Sequence, residues 1–180
     1  MSKKVQIVVL CEDAQTFSFA RKYLLSKGFD DHKIRARISP PARGSAYSFV
    51  LHEFPLELQE MRKASVERKL LAILDEDGRE DHSLSSFEKE CINVGVAFRA
   101  QDEPAAILIP KRNIETWLMF LSDEKPVRED FDYKEKIHPG NGLIACKRHV
   151  AVLNKMCQKS QRQDWPSSLG SACSEMRRIL

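Results

Sequence analysis

The chain has 180 residues, 42% hydrophobic and 31% charged, a balance that supports one folded domain with a sizeable core and excludes a disordered chain. Lys and Arg number 29 against 26 Asp and Glu, so the formal net charge is +3; that excess is too small to signal nucleic-acid binding alone and leaves any basic footprint to local clusters. No apolar run approaches the roughly 18–20 residues that span a bilayer, and Val5–Leu10 is too short for a secretory signal, so a cytoplasmic protein with no membrane partner is expected.

In chain order, the first element is the apolar run Val5–Leu10, rich in β-branched residues. Runs of this kind suit strands buried on both faces of a parallel sheet, and Leu70–Leu74 and Ala105–Ile109 share the pattern. Ile34–Ile38 alternates instead, which suits a strand nearer an edge. Helical stripes fall between the runs. Phe17, Ala20 and Leu24 form one, with Asp13 as N-cap and Gly28 as stop. Tyr47, Val50, Phe54, Leu58 and Met61 form a second, in which Pro55 is a point for a kink or a division. Ser85 and Glu88 have capping-box spacing, Phe87 and Cys91 face inward, and Gly95 ends the segment. Ile114, Trp117, Leu118 and Leu121 make a fourth stripe.

The alternation β-α-β-α-β-α-β-α predicts an α/β fold of Rossmann-like type: a central, mostly parallel sheet of about four strands flanked by helices. The core is expected over 1–121 and a polar loop over 122–141. Extra C-terminal helices then pack on the core over 142–180, one carrying Leu143, Cys146, Val150 and Leu153, the other opening near Pro166. The five cysteines are scattered within or beside apolar stripes and read as buried free thiols. Cys146 and His149 share a helix face, but one pair does not make a zinc site.

Function in an open parallel sheet gathers at the carboxyl ends of the strands. Two apolar runs end there in acids: Leu10-Cys11-Glu12-Asp13 and Leu74-Asp75-Glu76-Asp77-Gly78. If the strands are neighbours, Glu12 and Asp75 meet, and Asp77 projects like Asp75 wherever the chain stays extended. Carboxylates 4 Å apart repel by about 4 kcal/mol per pair at an effective dielectric near 20. A hard dication, Mg²⁺ or Mn²⁺, removes that penalty and takes oxygen ligands. The bland alternative is that Asp13 and Asp77-Gly78 are helix-cap and turn residues.

Val8-Val-Leu-Cys-Glu12 with Leu74-Asp75-Glu-Asp77-Gly78 resembles the Toprim domain of topoisomerases, primases, recombination-repair proteins and OLD-family nucleases. In that family a strand-end Glu and a strand-end D-x-D bind Mg²⁺. The glycine usual after the first Glu is replaced here by Asp13. Ile109-Pro-Lys-Arg-Asn-Ile-Glu115-Thr-Trp117-Leu118 is similar to a motif of small OLD-like Toprim proteins, and by that match Glu115 is a fourth acidic ligand. The resemblance covers about 5–121. It implies a Toprim fold, a divalent-metal-dependent nuclease or nickase acting on DNA or RNA, and a separate ATPase partner, in the setting of anti-phage defence. From its position alone, Glu115 stands beside its helix's apolar stripe and need not be buried; a first-turn Glu also simply favours the helix dipole.

Lys111 and Arg112 follow the third buried run and should border the same edge, where they can hold a scissile phosphate and give Lys111 a catalytic role. Arg35, Arg37 and Arg43 form a second basic group, suited to tracking a nucleic-acid backbone. Lys147, Arg148, His149, Lys155 and Lys159 make a third group that suits a solvated face. Tyr47 and Phe49 are either base-stacking or core residues, and His82 either a general base or the lead into the next helix. No phosphate-binding loop or nucleophile elbow is present. The competing reading is a receiver-like signalling module, which Glu12-Asp13, Asp75 and Lys111 loosely imitate. The long interval before Asp75, the acid at Asp77 and the helices after 142 argue against it. A Toprim-like module that binds without cleaving is a third reading, and the oligomeric state stays open.

Overall fold

A computed structural model describes residues 5–41, 45–79, 82–122, 127–133, 147–159 and 165–180. The strands are β1 (Gln6–Cys11), β2 (Ile34–Ile38), β3 (Arg68–Ile73) and β4 (Ala105–Leu108). The helices are α1 (Ala14–Ser26), α2 (Ala46–Lys63), α3 (Leu84–Asn93), α4 (Ile114–Leu121), α5 (Lys147–Cys157) and α6 (Ser167–Met176). Short 3₁₀ turns cover Asp31–Lys33 and Arg177–Ile179. Arg43, Leu143 and Cys146, named above, lie outside the described residues.

The four strands form one sheet, all parallel, in the order β2-β1-β3-β4. The α/β class and parallel sheet expected from the apolar runs are what the chain adopts. The pleat divides each run between two cores. Ile7, Val9, Cys11, Leu71, Ile73, Ala106 and Leu108 face α1, α4, α5 and α6. Val8, Leu10, Leu70, Ala72, Leu74, Ala105 and Ile107 face α2 and α3. Both faces need apolar side chains, which is why β1, β3 and β4 carry no polar alternation. β2 is an edge strand, as its alternation implied, with Arg35 and Arg37 exposed; Ala36 is exposed as well.

Asp13 caps α1 by accepting from the Thr16 N–H at 2.8 Å, and Gly28 follows the helix at φ +84°. Pro55 neither ends nor divides α2, because buried Val50, Phe54, Leu58 and Met61 hold both halves on the sheet. The capping box expected from Ser85 and Glu88 does not form. α3 starts two residues earlier, with Ser83 at the N-cap and its hydroxyl 2.9 Å from that of Ser85. Pro166 stands at the N-cap of α6, just outside the first turn expected for it. Glu129, within the expected loop, caps that helix: its carboxylate accepts from the Ser167 and Ser168 N–H groups at 3.1 and 3.0 Å and from both hydroxyls.

The cysteine expectation needs correction. Cys157 and Cys173 form a disulfide between α5 and α6, whereas Cys11 and Cys91 are buried thiols as expected. Apolar-stripe positions on two packed helices face one another, and a stripe alone does not reveal which residue of the other helix lies opposite. His149 is buried and its Nε2 lies 2.7 Å from the Ser122 hydroxyl. The outer edge of β4 is closed by side chains. Glu175 accepts from the Ile107 N–H at 2.9 Å, and Arg99 and Arg178 donate to the Ala105 carbonyl at 2.6 and 3.0 Å. No helix among the described residues is long and apolar enough to cross a membrane.

Candidate functional site

From β1 the chain steps outward to β2 in one direction and to β3 in the other. The carboxyl ends of β1 and β3 therefore flank the point where strand order reverses, the usual crevice of an open α/β sheet. Glu12 follows β1 and Asp75 follows β3 by two residues. The Glu12 carboxylate reaches across and accepts from the Asp75 N–H at 2.8 Å. The two acids that the sequence separates by 63 positions thus share one spot.

Asp75 is 6% exposed, and its Oδ1 is buried with no hydrogen-bond partner among the described residues. Burial raises its carboxyl well above the usual range, and the charges of Glu12, Glu115, Asp13 and Asp77 raise it further, in that order. Four other carboxylates therefore act on this one side chain.

Glu115 arrives from the first turn of α4, behind Asn113 at the N-cap. Its place beside the stripe left burial open, and it is buried at 5% exposure. The whole of Ile114–Leu121 is buried, because α4 is enclosed rather than lying on the surface. The Gln15 amide, from the first turn of α1, donates to Glu115 Oε1 at 2.7 Å. Gln15 is a site residue that sequence reasoning missed; nothing in Ala14-Gln15-Thr16 distinguishes it from a surface position. Asn113 is fully buried and donates to Asp132 at 3.0 Å.

Asp77 departs from the extended path that would have pointed it alongside Asp75. Its φ is +52° and it is exposed. The chain turns at Asp77 and Gly78, and the Asp77 N–H donates to the Arg112 carbonyl at 2.8 Å. Arg112 itself has φ +68°. Among the described residues these are the two non-glycine positions with positive φ, and they clip the loop after β3 to the loop after β4. Such conformations cost about 1–3 kcal/mol each and concentrate at functional sites. A Cβ on Gly78 would come within 2.7 Å of Arg112 Nη1, so glycine there lets the guanidinium lie against the turn.

His82 closes the other side. It is 4% exposed and its Nδ1 lies 3.0 Å from the Asp75 carbonyl. The Tyr47 ring, from the first turn of α2, stacks on the imidazole at 3.7 Å between centroids and 10° between planes. Tyr47 is thus a packing partner of His82, and Phe49 is partly buried against the α2–α3 core.

The basic residues distribute unevenly. Lys111 is exposed, and its charge contributes to lowering the Asp130 carboxyl behind the larger effect of Arg128. Arg112 is half-buried beside the acidic turn. Arg37 is engaged with Glu53 and with Glu57 of α2, the latter at 2.9 Å, while Arg35 is exposed on β2. Cys11, beneath the site, is no thiolate nucleophile: burial and then Asp13 push its thiol far up.

Among the described residues, no three His, Cys, Asp and Glu side chains stand in an arrangement that alone would hold a metal ion. Mg²⁺ commonly takes only one or two protein carboxylates and completes its shell with water and phosphate. An oxygen-only donor set fits that demand: Asp75 Oδ1 is buried without a hydrogen-bond partner among the described residues, Glu12 is hydrogen-bonded to the Asp75 main chain, and the Glu115 charge acts on the same side chain. No family model, curated protein or solved structure matches this chain.

Proposed function

We propose that the chain is a Toprim-like, Mg²⁺- or Mn²⁺-dependent nuclease or nickase that cleaves phosphodiester bonds in DNA or RNA. The observation that carries this reading is Asp75, a buried carboxyl crowded by Glu12 and Glu115 with one oxygen lacking a hydrogen-bond partner among the described residues. Such crowding is unfavourable in the cation-free protein and becomes favourable once a dication is shared.

In this reading Asp75 and Glu12 hold the cation, Glu115 supports it from α4, and Asp77 faces the substrate side. When bound, Mg²⁺ supplies Lewis acidity toward the phosphodiester. The Arg112 guanidinium, fixed beside the Asp77 turn, and exposed Lys111 bind the phosphate and stabilise its developing charge. Exposed Arg35 extends the phosphate track. Water adds to phosphorus, the bond to the leaving oxygen breaks, and that oxygen takes up a proton. The reading places the protein in the cytoplasm beside its nucleic acid and carries a separate ATPase as partner, as in OLD-like defence systems. In that compartment the Cys157–Cys173 pair meets thiol reductants.

The test is cleavage of supercoiled plasmid, single-stranded DNA and RNA with Mg²⁺ or Mn²⁺. Wild type should cut at least one substrate, and Asp75→Ala and Glu12→Ala should not. Equal activity in wild type and both variants would remove the assignment.

A further inference from the structure

Asp75 is held through its main chain as well as its side chain. Its N–H is fixed by Glu12 and its carbonyl by His82. A carbonyl can only accept, so the His82 Nδ1 carries the hydrogen, and in the neutral ring Nε2 is left as the acceptor. That Nε2 is buried and has no hydrogen-bond partner among the described residues. A buried imidazole nitrogen without a partner among the described residues costs free energy, which is a reason to look for a role beyond packing. Two features hold the ring. The Arg79 N–H donates to the Glu76 carbonyl at 2.9 Å, and the His82 N–H donates to the Arg79 carbonyl at 3.0 Å. The Tyr47 ring then fixes the imidazole plane from α2.

We propose that His82 is a positioning residue for Asp75, its ring plane held by Tyr47 and its Nδ1–H tautomer set by the Asp75 carbonyl, and that it sets the orientation in which Asp75 receives a divalent cation. The inference rests on the metal reading above. Its chemistry is that of outer partners that orient a ligand without touching the ion, whose loss typically costs about 10–100-fold in metal affinity. Tyr47 lies in the first turn of α2, two residues after Ser45 at its N-cap. The stack therefore ties the start of α2 to the acid that binds the cation.

The experiment is calorimetric titration of Mn²⁺ alone into the full chain, with circular dichroism to confirm folding. An asparagine amide can occupy the position of Nδ1, whereas a glutamine amide falls nearer Nε2. His82→Asn should therefore keep wild-type affinity, and His82→Gln and His82→Ala should lose about 10–100-fold. Tyr47→Phe should retain affinity and Tyr47→Ala should weaken it. ¹⁵N imidazole resonances of the metal-free protein should show hydrogen on Nδ1 of His82. Wild-type binding with His82→Asn, His82→Gln and His82→Ala all equal to it would overturn the role of His82 and leave the metal reading standing. A hydrogen found on Nε2 with bare Nδ1 would also overturn it. No Mn²⁺ uptake by wild type would overturn the metal reading and this inference together.

Discussion

The carboxylate of Glu12 accepts a hydrogen bond from the backbone N–H of Asp75 at 2.8 Å, joining the ends of two neighbouring parallel strands. One side chain thus both ties β1 to β3 and presents charge to the crevice. Glu12→Gln keeps an acceptor for the Asp75 N–H and removes the charge, so it should fold with near wild-type stability and lose most Mn²⁺ affinity. Glu12→Ala loses both and should cost about 1.5–3 kcal/mol as well. Urea denaturation beside Mn²⁺ calorimetry separates the two effects; a Gln variant that binds as wild type would contradict the charge argument.

Asp75 gives a pH dependence whose sign follows from its raised carboxyl. The folded state holds the proton more tightly than the unfolded one. The contribution of Asp75 to stability is therefore fully present below the ordinary aspartate range near 4 and is lost as pH rises from there through the raised folded value. Asp75→Asn should flatten that fall and raise the melting temperature at neutral pH, by about 2–4 °C for each kcal/mol relieved. Mn²⁺ binding should displace the proton, so the apparent enthalpy should depend on the ionisation heat of the buffer. Buffer-independent enthalpies would show Asp75 already ionised.

Gln15 and Glu115 link the first turns of α1 and α4 through one buried bond of 2.7 Å. Gln15→Ala takes a donor from a buried carboxylate and should destabilise the fold by about 1.5–3 kcal/mol. Glu115→Gln together with Gln15→Ala should cost less than the sum of the two single changes. Thermal melts of the double-mutant cycle read this directly, and strict additivity would mean the contact carries no coupling.

Glu175 stands against the edge of β4 and pairs with Arg99, whose side chain is 5% exposed. Glu175→Ala leaves that guanidinium buried without its partner and should cost about 3–5 kcal/mol. It also uncovers the Ile107 N–H on an edge strand, so self-association should increase. Light scattering and equilibrium unfolding test the two consequences separately.

The parts of the fold legible in the sequence are those encoded by local pattern. Val5–Leu10, Leu70–Leu74 and Ala105–Ile109 are apolar on both pleat faces, and only a sheet covered on both sides satisfies that. Asp13 and Gly28 mark the ends of α1 because capping and left-handed closure act over a few residues. Asp77 misled for the same local reason turned round. A spacing of two implies a shared side only while the backbone stays extended, and the hydrogen bond to Arg112 bends it at that point.

By itself the sequence determined the strands, their burial and the acids that follow them, since hydrophobic period and chain order are written residue by residue. Tertiary structure alone decided that β1 lies beside β3, that Glu115 is buried against Gln15, that His82 seats on the Asp75 carbonyl under Tyr47, and that Cys157 meets Cys173. These contacts join segments far apart in the chain. Their partners are chosen by how whole elements dock, which no window of local sequence records.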